Sequence, residues 1–236
     1  MLILAGGLNS RMGPLAGTVY KAFLPIQGLS CVARHVIRAS AYGVTEIDAL
    51  VDSNDPVLDL LATKGVHEQL LGAPTPTVRV LECPGSPADK IRWWCGRRAV
   101  ADRALVVLGD TLAAVDLAHL WRCCDSGQFD SAIAVATARL PFGVVLVDGD
   151  RITQFKASPD IELLVNTGHM ALGQYGLSLL RSGLELEPAL AKIAEARKLR
   201  AVVSTGTVMA VDSLGSLAAA HQSLEGSVHR QLCSSD

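Results

Sequence analysis

The chain has 236 residues, a formal net charge of −2, 50% hydrophobic residues and 19% charged residues. That balance argues against a nucleic-acid or acidic-membrane partner, and no apolar run approaches the roughly 18 residues of a membrane span. The charged share falls below the roughly 25% of an average globular domain. Much of the apolar content must therefore fill buried strands and the helices packed on them, as in a covered parallel sheet.

Met1 to Ala5 is a short apolar run that stops at Gly6-Gly7, a buried strand feeding a loop. No basic segment of a signal peptide precedes it, so a cytoplasmic protein is expected. Gly6 to Gly28 reads as an extended loop. Leu29 to Tyr42 carries Val32, His35, Val36 and Ala39 on one helical face, with Gly43 as a C-cap. Glu46 to Val51 is a second strand, and Asp55-Pro56 places an acid at the cap and proline in the first turn of the next helix. Thr77 to Leu81 is a strand. A loop at Cys83 to Pro87 leads into a helix from about Ala88 to Val100. Arg103 to Leu108 is a strand ended by Gly109-Asp110; Asp116 caps a helix through Cys124, and Asp130 to Thr137 is a strand. This alternation implies a doubly wound α/β sheet.

The second half changes character. Phe142 to Val147 and Arg151 to Phe155 flank Asp148-Gly149-Asp150, a hairpin signal. Leu163 to Leu172 is a strand, Gln174 to Ser182 and Leu186 to Ala196 are helices, and Ala201 to Ser204 and Thr207 to Val211 are short strands. Ser213 opens a last helix. One domain is expected over 1–226, with a loosely ordered tail over 227–236. The six cysteines, Cys31, Cys83, Cys95, Cys123, Cys124 and Cys233, form no C-x-x-C pair and read as free thiols. Trp93-Trp94 reads as core or subunit contact rather than a base-stacking platform, and the apolar faces of the later helices suit a homodimer.

The loop after the first strand is built for phosphate. Gly6 and Gly7 let a backbone approach a ligand closely, and successive N–H groups in such a turn form a nest for anionic oxygens. Ser10 adds a hydroxyl, Arg11 a fork that pairs two oxygens at once, and Lys21 a mobile point charge. No G-x-x-x-x-G-K-[ST] occurs, so this is no P-loop. Asp110 ends a central strand at the crevice where such sheets bind ligands, and a hard Mg²⁺ bridging phosphates needs such a carboxylate.

Leu4-Ala5-Gly6-Gly7-Leu8-Asn9-Ser10-Arg11-Met12, with Lys21 to Gly28, resembles the signature of the sugar-1-phosphate nucleotidyltransferases. Asn9 replaces the usual third glycine, and members usually carry a few residues before this strand, which implies a start upstream of Met1. The likeness continues at Val107 to Leu112 with Asp116-Leu117, at Phe142-Gly143-Val144, at Val165-Asn166-Thr167-Gly168 and at Leu186 to Leu190. It implies a Rossmann-like doubly wound mixed sheet of the nucleotide-diphospho-sugar transferase type, with a small antiparallel sugar-side subregion. It also implies transfer of a nucleoside monophosphate from a nucleoside triphosphate to a sugar 1-phosphate. Arg11 and Lys21 would be catalytic. Leu4, Ala5, Gly6, Gly7, Asn9, Ser10, Gly85 and Ser86 would bind the nucleotide. Gly143, Lys156, Asn166, Thr167, Gly168 and Glu187 would meet the sugar.

Three departures leave alternatives open. The base-reading loop is Pro84-Gly85-Ser86-Pro87-Ala88-Asp89, with Lys90 beyond, and keeps only Gly85 and Ser86 of the family pattern. Ala157 and Ser158 stand where a glutamate and a lysine would hold the sugar and its phosphate. Ala210 stands where an aspartate would share the metal, which makes Asp212, two residues on, the second metal candidate beside Asp110. A nucleotide-binding regulatory relative without turnover, or an enzyme with a non-sugar phosphate acceptor, would also carry these changes.

Overall fold

The computed structural model describes the chain except residues 8–9, 16–19, 54, 71–73, 99–101, 125–126, 140–142, 158–159, 207 and 226–236. Asn9, Phe142, Ser158, Cys233 and the tail over 227–236 thus lie outside the described residues.

Strand β1 (Leu2–Leu4) opens the fold and is buried along its length. Two short 3₁₀ turns, Ser10–Leu15 and Lys21–Phe23, lead to a two-residue hairpin of β2 (Pro25–Ile26) and β3 (Leu29–Ser30). Helix α1 (Cys31–Ala41) therefore starts two residues later than the periodicity predicts, because Ser30 is its N-cap and accepts the Ala33 amide. Strand β4 (Glu46–Val51) is followed by α2 (Pro56–Thr63), which Asp55 caps through the Val57 amide as expected. A single extra turn, α3 (Val66–Gln69), precedes β5 (Thr77–Glu82).

Helix α4 (Pro87–Gly96) starts on a capping box: the Ser86 side chain takes the Asp89 amide and Asp89 takes the Ser86 amide. It stops at Gly96 rather than Val100, where the entropy cost of glycine in a helix ends the run. Strand β6 (Ala104–Leu108), the short β7 (Thr111–Leu112) and α5 (Leu117–Arg122), capped by Asp116, follow. The second half holds β8 (Ser131–Arg139), the hairpin β9 (Val144–Asp148) and β10 (Arg151–Lys156), the long β11 (Asp160–Leu172), and helices α6 (Gln174–Arg181) and α7 (Leu186–Glu195). It closes with β12 (Leu199–Val203), β13 (Met209–Ala210) and α8 (Leu214–Glu225).

The central sheet has seven strands in the order β12-β8-β11-β6-β1-β4-β5. Strands β1, β4, β5 and β6 are parallel, β8 and β12 are parallel to each other, and β11 lies antiparallel between β6 and β8. The mixed doubly wound sheet is as expected. Side chains alternate across it: Ile3, Ile47 and Ala49 meet α1, α2 and α5 on one face, while Leu2, Leu4 and Leu50 meet α4, α6 and α7 on the other.

That second layer corrects the expectation for the late helices. Leu177, Leu180, Leu186, Ala189 and Ile193 are buried within the fold, so the apolar faces of α6 and α7 are not left for a second copy. Fully burying a leucine contributes about 1.5–3 kcal/mol, which gives these faces reason enough to be apolar. A group of exposed apolar side chains lies instead on the β9–β10 hairpin and early β11: Val147, Ile152, Phe155 and Leu163. Trp94 is core, its indole N–H donating to buried Asp48 at 2.7 Å. Among the described residues no helix is long and apolar enough to cross a membrane.

Candidate active site

The parallel strands β1, β4 and β6 end side by side, so the residues just beyond them share one edge of the sheet. Leu4 and Ala5 are buried, and the Ala5 amide donates to the Leu50 carbonyl at 2.9 Å. Only their backbones can then serve a ligand. Gly7 has φ 138°, which an L side chain rarely adopts. Its amide is already engaged: it donates to Asp52 Oδ2 at 2.6 Å. A Cβ on Gly6 would stand 2.8 Å from Asp52 Oδ1, so the missing side chain is what admits that carboxylate.

On the other side of β1, Asp110 follows Gly109 at the end of β6. A Cβ on Gly109 would lie 3.1 Å from Ala5 Cα, so the close approach of the two strand ends requires glycine there. Asp212 reaches the same place from the far end of the chain. Strand β13 pairs with β7, Met209 opposite Leu112 and Ala210 opposite Thr111, and the Val211 amide donates to the Asp110 carbonyl at 2.8 Å. The backbone thereby clamps the two aspartates together, and the Asp212 amide is fixed by Ser216 Oγ at 2.9 Å.

Lys21 lies between these carboxylates. Its ammonium pairs with Asp110 and with Asp212, the latter at 2.6 Å. Burial works against its charge, but the hydrogen bonds to Asp110 and Asp212 outweigh this, and its pKa is raised. Arg11 lies 3.2 Å from Asp212, with 71% of its side chain exposed against 16% for Lys21. Four residues singled out by the sequence, Arg11, Lys21, Asp110 and Asp212, therefore form one cluster. Among the described residues no group of three or more His, Cys, Asp or Glu could hold a metal. Two carboxylates already converging on one cation are nevertheless a donor set that suits Mg²⁺, which commonly takes one or two protein carboxylates and completes its shell with phosphates and water.

A third loop faces the first across the end of β4. Gly85 is exposed, and the Ser86 hydroxyl is engaged in the cap of α4, donating to Asp89 Oδ2 at 2.9 Å. Lys90 is 3% exposed, and its ammonium pairs with Asp52 and donates to the Gly85 carbonyl at 2.7 Å. Sequence reasoning missed Asp52. The signal was available: like Asp110, it is an acid just past the end of an apolar parallel strand.

The sugar-side residues are more scattered. Gly143 is exposed beside the Phe155 ring, which a Cβ would meet at 2.5 Å. Lys156, the last residue of β10, is exposed opposite Val144. Asn166 is exposed and its Oδ1 accepts the Gly168 amide at 2.9 Å. Thr167 corrects the expectation: it is fully buried, and its hydroxyl donates to the Ala134 carbonyl at 3.1 Å, since neighbouring strand residues point to opposite faces. Glu187 is exposed in the first turn of α7. Beneath Asn166 and Gly168, the rings of His35 and His169 stand 5.4 Å apart, both buried, each with an unpartnered Nε2.

The description of a MobA-like NTP transferase domain matches residues 1–209. Among characterised sequences, the chain is 28% identical over 173 residues to a protein of Sulfolobus acidocaldarius provisionally named a mannose-1-phosphate guanyltransferase. The match covers 71% of this chain and 46% of that protein, so the chain spans about half the length of this relative. Among solved structures, a provisionally named glucose-1-phosphate thymidylyltransferase from Bacillus anthracis, in complex with sucrose, superposes with TM-score 0.69 at 20% identity, covering 94% of this chain and 93% of that one. A UDP-glucose pyrophosphorylase complexed with UDP-glucose gives TM-score 0.72 at 16% identity, covering 95% and 97%. At these identities the superpositions show a shared fold, that of the nucleotide-diphospho-sugar transferases.

Proposed function

Because the chain belongs to the family of MobA-like NTP transferase domains, we propose that it transfers a nucleoside monophosphate from a nucleoside triphosphate to a sugar 1-phosphate and releases pyrophosphate. The observation that carries this reading is the cluster of Lys21 and Arg11 with Asp110 and Asp212 at the strand ends. The sugar-1-phosphate nucleotidyltransferases among the relatives lend it support.

The chemistry asks little covalent help of the protein. An oxygen of the sugar phosphate attacks the α-phosphorus, the bond to the β-phosphate breaks, and pyrophosphate leaves with the electron pair. The nucleophile is already an anion, so no general base is needed, and the work is positioning and charge neutralisation. Lys21, fixed by two carboxylates, offers an ordered positive charge. Arg11 is exposed and, among the described residues, pairs with Asp212 at 3.2 Å, so it can turn toward the phosphates at small cost. Asp110 and Asp212 would hold a divalent cation, Mg²⁺ by the hardness of their oxygens, which when bound supplies charge neutralisation at the phosphates.

On the acceptor side, Asn166, Gly143, Lys156 and Glu187 are the exposed candidates to meet the sugar, while Gly168 is buried against Leu108. The backbone of Gly6 and Ser10, with Gly85 and Ser86, would hold the nucleotide, the Gly7 amide being committed to Asp52. The loss of a carboxylate at Ala210, which would favour a regulatory relative without turnover, is offset by Asp212 beside Lys21. The free thiols of Cys31, Cys83 and Cys95, all buried, support a reducing compartment and hence a cytoplasmic enzyme.

The test is pyrophosphate release with Mg²⁺ over a panel of the common nucleoside triphosphates and sugar 1-phosphates. Release that requires one member of each set is expected. Release with a phosphorylated alcohol but no sugar phosphate would move the reading to another acceptor. No release and no nucleotide binding would reject it.

A further inference from the structure

The cation cluster leaves Asp52 without a part in the chemistry, yet the chain takes trouble to hold it. The residue follows the last position of β4, between β1 and β5, so its carboxylate sits where the Gly6–Gly7 turn faces the Gly85–Ser86 turn. Oδ2 accepts the Gly7 amide at 2.6 Å, and Oδ1 takes the ammonium of Lys90. The same ammonium donates to the Gly85 carbonyl at 2.7 Å, so one buried lysine ties both loops to this carboxylate. Lysine is seldom buried without a partner that needs it. Asp52 itself stays 30% exposed at the side chain. An ionised carboxylate has about four lone-pair sites. Among the described residues the Gly7 amide and Lys90 use two, on different oxygens, which leaves one on each. Among the described residues, chain neighbours aside, nothing lies within 4 Å of where a Gly7 side chain would project.

We propose that Asp52 reads the base of the nucleotide and selects guanine. This rests on the nucleotidyl-transfer reading for the ligand's class, and the rest follows from charge and donor pattern. A triphosphate cannot lie along an acceptor-only anion, so its phosphates belong at the Arg11–Lys21 end and its uncharged end belongs at Asp52. The two vacant lone-pair positions, one per oxygen, match a ligand edge with two adjacent donors. Guanine has one: N1–H beside the N2 amino group. Uracil offers a single N–H between two carbonyls, which a carboxylate repels. Adenine and cytosine set an amino group next to a ring-nitrogen acceptor, which repels the second oxygen. Specificity arises because the wrong base brings an acceptor against a held anion as well as lacking a donor. Gly6 takes part in this device, because any side chain there would push the carboxylate off the Gly7 amide.

The experiment uses the full chain, with nucleotide affinity by calorimetry and pyrophosphate release measured side by side for GTP, ITP, XTP, UTP, CTP and ATP. GTP is expected to exceed UTP, CTP and ATP by roughly a hundredfold or more in either readout, and ITP, which lacks the N2 amino group, to lose roughly tenfold. The double variant Asp52→Asn, Lys90→Met removes the ammonium that would face the new amide nitrogen. It presents one acceptor and one donor, so it should favour XTP, whose C2 bears a carbonyl, over GTP; a merely structural role for Asp52 would not exchange the two. Equal use of the four common bases, a preference for UTP, CTP or ATP, or a folded double variant that keeps the wild-type GTP-to-XTP ratio overturns the proposal. If UTP is turned over in place of GTP, nucleotidyl transfer stands and the role of Asp52 falls. If GTP binds selectively and no acceptor yields pyrophosphate, the role of Asp52 stands and the transfer reading falls.

Discussion

Lys21 Nζ and Asp212 Oδ1 lie 2.6 Å apart across 191 positions of sequence, and Asp110 completes the contact from the other side of the same ammonium. A protein cation thus occupies the space between two carboxylates that would also receive a divalent metal. Lys21→Met leaves those carboxylates facing each other without their counter-charge. The free variant should bind Mn²⁺ about tenfold more tightly than the wild type, because no ammonium competes. Turnover should fall roughly a hundredfold or more. Mn²⁺ titration followed by electron paramagnetic resonance, without nucleotide, separates the two effects; unchanged Mn²⁺ affinity would contradict the shared position.

Arg11→Ala should behave differently. The side chain is mostly exposed and its ion pair with Asp212, at 3.2 Å, is at the surface, so its loss should alter stability by no more than about 0.5 kcal/mol. Pyrophosphate release should nevertheless drop by roughly a hundredfold, the usual effect of removing one donor that stabilises transition-state charge. Thermal melting and steady-state assays on the same preparation check both halves. Near-normal turnover would remove Arg11 from the machinery.

Gly168→Ala tests how the strand beneath the sugar side positions the carboxylate. Gly168 has φ 76°, and a Cβ there would lie 2.9 Å from Leu108 Cβ, two residues before Asp110. Strain and overlap together should cost about 1–3 kcal/mol, read as a lowered midpoint of thermal unfolding. Turnover should fall with it as β6 shifts. An unchanged melting temperature would show that β11 accommodates a methyl group there.

The buried imidazoles predict an acid-sensitive fold. Desolvation lowers the His169 pKa from 6.5 to about 4, and burial lowers His35 well below its ordinary value. In the unfolded chain both histidines take a proton near 6.5. Between that value and about 4 the unfolded state binds more protons, so stability falls as pH falls through this window, by on the order of 3 kcal/mol for His169. Hydrogen bonds from Arg79 and Trp94 outweigh burial at Asp48 and hold its carboxyl below the usual carboxylate range, so its own contribution is lost only at lower pH. Melting temperatures from pH 7 to 4 should slope less in His169→Leu than in the wild type; parallel slopes would assign the acid sensitivity elsewhere.

Much of this molecule could be read from short-range signals. The helix caps Asp55, Ser86 and Asp116 fall at or beside the expected loop ends, because a side-chain cap is a local bond. Asp110 was legible because an acid following a buried apolar strand faces the crevice by geometry alone. The inward turn of Thr167 follows from strand alternation but was obscured by a motif that treats three neighbours as one unit. Two features had no local signal. Strand β11 chooses an antiparallel place between β6 and β8, a matter of pairing across long stretches of chain. Asp52 carries the same strand-end signal as Asp110, but its pairing with Lys90 joins two loops through a buried charge, and neither loop alone announces that pairing.

The small β7–β13 clasp also sets the order in which the protein can become active. A ribosome that has released the chain as far as Val203 has supplied all seven strands of the central sheet, with Asp110, Lys21 and Arg11 among them. Asp212 has not yet emerged, and it reaches the others only when Met209 and Ala210 pair with Leu112 and Thr111. Folding of the sheet can therefore precede assembly of the carboxylate pair, which a nascent or prematurely terminated chain lacks until Asp212 has emerged.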